Sequence, residues 1–269
     1  MSIIFSGTSE VAKLESSLKK KLGLLKKRSV LKVLKVGADQ VSDGYLFVLK
    51  KQADKLGVDL KVIKLPSQTN FAIVAPLVKK GSVKVLPIIS TSCPLYSRRE
   101  ELIKKIPDGL DADFLNLKRF VDWERLPSVC RAVLYIIDKV SKTTKIDFRK
   151  KKVLVVGENG FWGSRIKQAL ADQGFQDTIG AGRDADLITL GNQADILVSC
   201  VGQPGLIKAE MVKKKAVVID VGCACLDKSW FGDVDFAKVS PKTRFITPFP
   251  DGIGPLSTFF IFENLIKER

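Results

Sequence analysis

The turn Val156-Gly157-Glu158-Asn159-Gly160-Phe161-Trp162-Gly163 spaces three glycines where an apolar β-branched run hands over to a helix beginning near Trp162. Glycines at such a turn let the backbone pass close to a pyrophosphate, whose charge is favoured at a helix amino terminus. The Gly-x-x-Gly-x-x-Gly spacing departs from the usual dinucleotide fingerprint, and taken alone it also fits a plain tight turn. Its weight comes from the loops that follow. Asp195 to Gly205, which includes Val201 and Gly202, then Val217 to Gly222, Gly232 to Phe236 and Thr247 to Ser257 come in fixed order. Each apolar run is short and ends in Gly or Pro, which is how buried parallel strands deliver loops to a ligand at their carboxyl ends.

Acid–base work has to be done without histidine, since the chain has none, so Lys, Asp, Glu, Tyr or water must carry any proton. Cysteines 93, 130, 200, 223 and 225 show no paired metal spacing, so no metal site is expected and reduced thiols are the simpler reading. The formal charge of +16 comes from 45 Lys plus Arg against 29 Asp plus Glu. The lysines are scattered and lack interleaved aromatics for stacking bases, which favours a solvated basic surface over a nucleic-acid face. Such a field would also draw in anionic small molecules. No apolar run is long enough to span a bilayer, so no membrane partner is expected and the cytoplasm is the expected compartment.

The elements that must hold these loops alternate between strand-like and amphipathic stretches, an α/β pattern throughout. Residues 31–37, 60–65 and 83–89 read as strands, and 42–56 as a helix that Ser42 caps and Gly57 ends. Residues 95–105 and 128–141 read as helices, the second with an apolar stripe at Val129, Val133, Ile136 and Val140. A basic link from 141 to 152 marks a domain boundary, and the last stretch, 255–266, is helical by its spacing.

The order of the carboxyl-terminal loops, and above all Pro250-Asp251-Gly252-Ile253-Gly254-Pro255-Leu256-Ser257, resembles the methylenetetrahydrofolate dehydrogenase/cyclohydrolase family, whose loop reads Pro-Gly-Gly-Val-Gly-Pro-Met-Thr. The resemblance implies an amino-terminal α/β substrate domain (1–140 plus 256–269) and a Rossmann-like NAD(P)-binding domain (141–255), with a cleft between them and a homodimer formed through the nucleotide domain. It gives the cofactor to Gly157, Glu158, Asn159, Gly160, Gly163, Arg183, Val201 and Gly202. It gives the folate to Tyr45, Asp113, Pro250, Asp251, Gly252, Gly254, Pro255 and Ser257. The family's loop has Arg where this chain has Glu158. A carboxylate repels a 2′-phosphate and accepts from a free ribose hydroxyl, so NAD is favoured, with Arg183 keeping NADP open.

The amino-terminal half departs from the family at the residues its chemistry uses. Val36 to Gly57 looks like the family's substrate helix, with Tyr45 as its tyrosine. Four residues on, the family's lysine is replaced by Leu49, and Lys50 and Lys51 point away from that face. Tyr45, Leu49, Gln52 and Leu56 also fit a core stripe at helical spacing. Val85 stands where the family has the glutamine of Gln-Leu-Pro. Asp111 and Asp113 keep the acidic segment, but Phe114 replaces its glycine. Hydride transfer from the methylene carbon to a nicotinamide needs alignment more than a protein base. Hydrolysis of the methenyl cation uses the lysine. The expected enzyme is therefore a 5,10-methylenetetrahydrofolate dehydrogenase in which Tyr45 and Asp113 serve the catalytic site and the cyclohydrolase step is weak or absent. A degenerate nucleotide-binding paralogue remains open, as does a dehydrogenase of another small molecule that enters an apolar Leu49/Val85 pocket.

Overall fold

The computed structural model describes residues 2–25 and 27–267. In chain order its strands are β1 (Ile3–Ile4), β2 (Val30–Val36), β3 (Asp59–Leu65), β4 (Lys84–Ile89), β5 (Lys152–Val156), β6 (Asp177–Ala181), β7 (Ile196–Ser199), β8 (Val217–Asp220), β9 (Ala224–Leu226), β10 (Ser229–Phe231) and β11 (Phe245–Ile246). Packing divides the chain into two compact units, Met1–Val11 with Arg119–Ser257, and Ala12–Lys118 with Thr258–Arg269. Residue 140, near which the sequence puts a boundary, lies inside the helix Ser128–Thr144. That helix also absorbs the first part of the expected link, and its stripe is buried at Val133, Ile136 and Val140 while Val129 is half-buried.

The unit containing 119–257 is built on a six-stranded sheet in the order β1-β11-β8-β7-β5-β6, parallel throughout. Val153, Leu154, Val155 and Val156 of β5 are all fully buried, which explains an unbroken β-branched run with no polar alternation. Strand β5 has β6 on one side and β7 on the other. The chain order thus reverses at β5, and in open parallel sheets ligands bind beyond the carboxyl end of the strand where that happens. The helix following β5 runs from Phe161 to Asp172 and starts one residue earlier than expected, with Gly160 as its cap. A separate antiparallel hairpin, β9–β10, exposes Leu226, Trp230 and Phe231.

The unit containing 12–118 has a parallel three-stranded sheet in the order β3-β2-β4. The helix Gln40–Leu56 follows β2. Its cap is Asp39, whose carboxylate accepts from Ser42 N at 2.7 Å, and not Ser42 as the sequence suggests. Gly57 closes the helix in the left-handed conformation, as expected. The 95–105 segment is a short 3-10 turn, Pro94–Arg98, followed by a helix of only five residues, Arg99–Ile103. The final helix is Ile253–Glu263, and Asn264 just beyond it donates from Nδ2 to Ala112 O at 3.1 Å. Among the described residues no helix is long and apolar enough to cross a membrane.

Candidate functional site

The glycine turn after β5 leaves no room for side chains. A Cβ on Gly163 would lie 2.0 Å from Gly157 O, and one on Gly157, which has φ +90°, would lie 2.9 Å from Cys200 O and 3.1 Å from Val201 Cγ2. The helix start, the turn and the loop after β7 are therefore packed against one another, with Gly160 and Gly163 against Gly157, and Gly157 against Cys200 and Val201. Glu158 and Arg183 do not face each other as a charge pair. Glu158 takes the ammonium of Lys167 at 2.6 Å and packs against Gly180, while Arg183 pairs with its neighbour Asp184 at 3.4 Å.

Two buried acids, to which the sequence reading gave no role, stand behind these loops. Asp220, at the end of β8, accepts from Gly222 N, Asp233 N and Val234 N, each at 3.0 Å. Asp233 accepts from Ser199 Oγ, Val201 N and Gln203 N, each at 2.7 Å. The signal in the sequence was an acid directly following glycine, at Gly232-Asp233, in one of the loops of fixed order. Burial, and then the Asp233 charge, push the Asp220 carboxyl from its ordinary 3.8 up to about 7. A group protonated more readily when folded gives stability that is complete below the unfolded value and is lost as pH rises through the folded one. The stability difference between the unaltered chain and Asp220→Asn should therefore move against the unaltered chain as pH rises from about 4 to about 7, measured by urea unfolding at fixed pH. A difference that is flat across that window would contradict this.

Asp251 departs from the role the family loop suggests. Its carboxylate accepts from Ser6 Oγ at 2.6 Å and Thr8 N at 2.8 Å, so it caps the helix Gly7–Gly23. Burial raises its pKa, but the bonds from Ser6 and Thr8 outweigh that and hold it below the usual value. Ser257 is buried and donates to Gly254 O at 3.1 Å. Pro250 is exposed and follows a cis peptide bond, Pro255 is half-buried, and Gly252 would clash with Pro248 O if it carried a Cβ.

In the other unit, Tyr45 is half-buried on the helix Gln40–Leu56. Burial, and then the charge of Asp113, push its phenol far above the ordinary range, so it stays a neutral donor. Asp113 is itself 3% exposed, and its backbone N donates to Asp111 Oδ1 at 2.9 Å, with Asn116 N on Oδ2 at 2.9 Å. Phe114, in the family's glycine position, keeps a left-handed φ of +51° while its ring is buried beneath Lys84 Nζ, 4.9 Å from the ring centroid.

Leu49 is fully buried, as are Ala53 and Leu56 nearby, while Gln52 is half-buried and donates to Glu15 at 3.1 Å. Lys50 and Lys51 are exposed. An ammonium at the head of this helix comes instead from β2. Lys35 Nζ, with the side chain 2% exposed, donates to Gly37 O at 2.6 Å and Ser42 Oγ at 2.8 Å and meets Asp43 Oδ1 at 3.2 Å. An ammonium has three N–H groups, and all three are used. The sequence signal for it was a lone charge on the otherwise apolar face of Leu31 and Val33. Val85 packs with Leu34, Val36, Val74, Val78 and Leu102 in a cluster that excludes Leu49. The two apolar replacements therefore do not form the shared Leu49/Val85 pocket that a different small substrate would have needed.

A parallel sheet with a glycine turn at its switch strand and a buried acid clamp behind the next loop defines a dinucleotide-binding α/β protein. The sequence profile "Tetrahydrofolate dehydrogenase/cyclohydrolase, NAD(P)-binding domain" matches residues 127–269. The bifunctional protein FolD of Lactobacillus delbrueckii subsp. bulgaricus is 32% identical over 280 residues, covering 99% of this chain and 97% of that protein. The FolD protein of Clostridium botulinum is 33% identical over 258 residues, covering 93% of this chain and 89% of that protein. Among solved structures, the bifunctional FolD methylenetetrahydrofolate dehydrogenase/cyclohydrolase of Campylobacter jejuni superposes with a TM-score of 0.85 at 25% identity, over 99% of this chain and 98% of that one. The chain belongs to the tetrahydrofolate dehydrogenase/cyclohydrolase family.

Proposed function

We propose that the protein is an NAD(P)-dependent 5,10-methylenetetrahydrofolate dehydrogenase that hydrolyses the methenyl product weakly or not at all. The observation that carries this reading is the pair of facts at the helix Gln40–Leu56: Leu49 is sealed in the core, and the nearby Lys35 ammonium has every donor engaged. Hydride transfer asks for orientation, which the glycine turn, Tyr45 and Asp113 would supply to nucleotide and pterin. Opening the methenyl ring asks for a group that moves a proton, a contribution of about a hundredfold or more, and no lysine is free on that helix face to make it.

NAD is the favoured cofactor, by a modest margin. Glu158 would repel a 2′-phosphate, but the Lys167 ammonium at 2.6 Å compensates much of its charge. The protein is also proposed to be cytoplasmic and to form a homodimer through the nucleotide unit, to which Leu226, Trp230 and Phe231 of the exposed hairpin would contribute apolar surface. Sedimentation velocity checks the assembly.

The test is to supply the full chain with 5,10-methylenetetrahydrofolate and either NAD or NADP and follow the reduced nicotinamide, then to supply methenyltetrahydrofolate alone and follow its absorbance. Reduction of both cofactors, NAD the faster, is expected, with hydrolysis close to the protein-free rate. Hydrolysis as fast as reduction would overturn the split between the two steps, and no reduction with either cofactor would overturn the dehydrogenase.

A further inference from the structure

We propose that Asp233 is a positioning residue for the cofactor, fixing the loop Val201–Gln203 in the shape that receives the nucleotide. This inference rests on the reading of that loop as part of the nucleotide site. Asp233 is fully buried, so it acts through the loop rather than by touching a ligand. One carboxylate oxygen takes Ser199 Oγ and Val201 N, and the other takes Gln203 N, all at 2.7 Å. The two amides bracket Gly202, whose φ of +78° makes the left-handed bend of the loop. Charge-assisted bonds of this length are the stronger kind, and here three of them converge on a stretch of five residues.

The carboxylate is itself held from behind. Asp220 accepts from the backbone of Asp233 and Val234, and its own N–H donates to Thr247 Oγ1 at 2.8 Å. The two acids dictate two glycines. A Cβ on Gly222 would fall 2.0 Å from Asp233 Cγ, and one on Gly232 would fall 2.1 Å from Asp220 Oδ2. Val201 in turn abuts Gly157, where a Cβ would come within 3.1 Å of Val201 Cγ2. A shift of the held loop would therefore disturb the glycine turn as well.

The test compares the full-length unaltered chain with Asp233→Asn and Ser199→Ala, titrating each with NAD, NADP and tetrahydrofolate, and following backbone hydrogen exchange. An asparagine keeps one acceptor oxygen and turns an NH2 group toward an amide. Asp233→Asn should weaken nucleotide binding by about tenfold or more and Ser199→Ala by about fivefold, with folate affinity unchanged and faster exchange at Val201 and Gln203. Should Asp233→Asn fail to fold, Ser199→Ala decides the matter, since it leaves both amide bonds in place. Nucleotide affinity unchanged in the folded variants, or folate and nucleotide affinity falling together, would overturn the proposal. No nucleotide binding by the unaltered chain would remove the nucleotide reading and this inference with it.

Discussion

Alanine at Gly163 should destabilise the protein by about 3 kcal/mol or more and lower nucleotide affinity by at least about a hundredfold. The added methyl would sit 2.0 Å from Gly157 O, 2.6 Å from Gly157 C and 3.0 Å from Glu158 Cα, all of them backbone atoms. A flexible side chain could swing aside, but here the turn itself has to move. Moving it carries Gly157 toward Cys200 and Val201, so the first helical turn and the loop after β7 are displaced together. Thermal unfolding and a calorimetric titration with NAD check both effects. Gly174 is the control, because a Cβ there meets nothing within 4 Å, although its φ of +85° carries the ordinary left-handed cost of about 1 kcal/mol. A Gly163→Ala protein as stable as the Gly174→Ala protein, with nucleotide affinity intact, would contradict the close packing of the turn.

Lysine at position 49 should cost about 3–5 kcal/mol and restore no hydrolysis. Leu49 is fully buried, so an ammonium placed there loses its water, and the positions three and four residues away on its own face, Tyr45, Leu46, Gln52 and Ala53, offer no carboxylate. The acceptor at the head of the helix, Ser42 Oγ, is already taken by Lys35. Burial would favour the neutral amine, leaving a side chain that neither pairs nor stabilises a developing charge. Urea unfolding measures the cost, and the methenyltetrahydrofolate assay measures the chemistry. A stable variant with fast hydrolysis would mean that the missing lysine alone separates this chain from a bifunctional enzyme.

Much of the nucleotide-binding architecture was legible because buried parallel strands leave a strong mark. The runs at 153–156 and 217–219 are apolar and rich in β-branched residues, and the turns that follow them contain glycine. Strand ends in the other unit were within a residue or two for the same reason. The segment at 95–105 was not, because the chain forms a 3-10 turn with proline at its start, and a short periodic stretch looks the same in sequence whether it winds as one helix or two. In the site, spacing placed Leu49 in the core and turned Lys50 and Lys51 outward, since both follow from helical geometry alone. What spacing cannot show is a partner far along the chain. Asp251 caps a helix 243 positions away, and Asp233 holds a stretch that begins 34 positions before it at Ser199 and ends 30 before it at Gln203. Lys35 was hidden differently, because β2 carries two lysines and only the alternation of faces sets Lys35, not Lys32, with Leu31 and Val33.

The edge strand β1 lies beside β11, and Asp251 binds the Ser6 hydroxyl across 245 positions of sequence. During translation the segment at residues 3–8 therefore leaves the ribosome long before the partner that orders it exists. Its apolar residues, Ile3, Ile4 and Phe5, must wait unpaired until the chain has been synthesised through Asp251, 245 positions beyond Ser6, so this stretch offers a nascent-chain chaperone a long opportunity to bind.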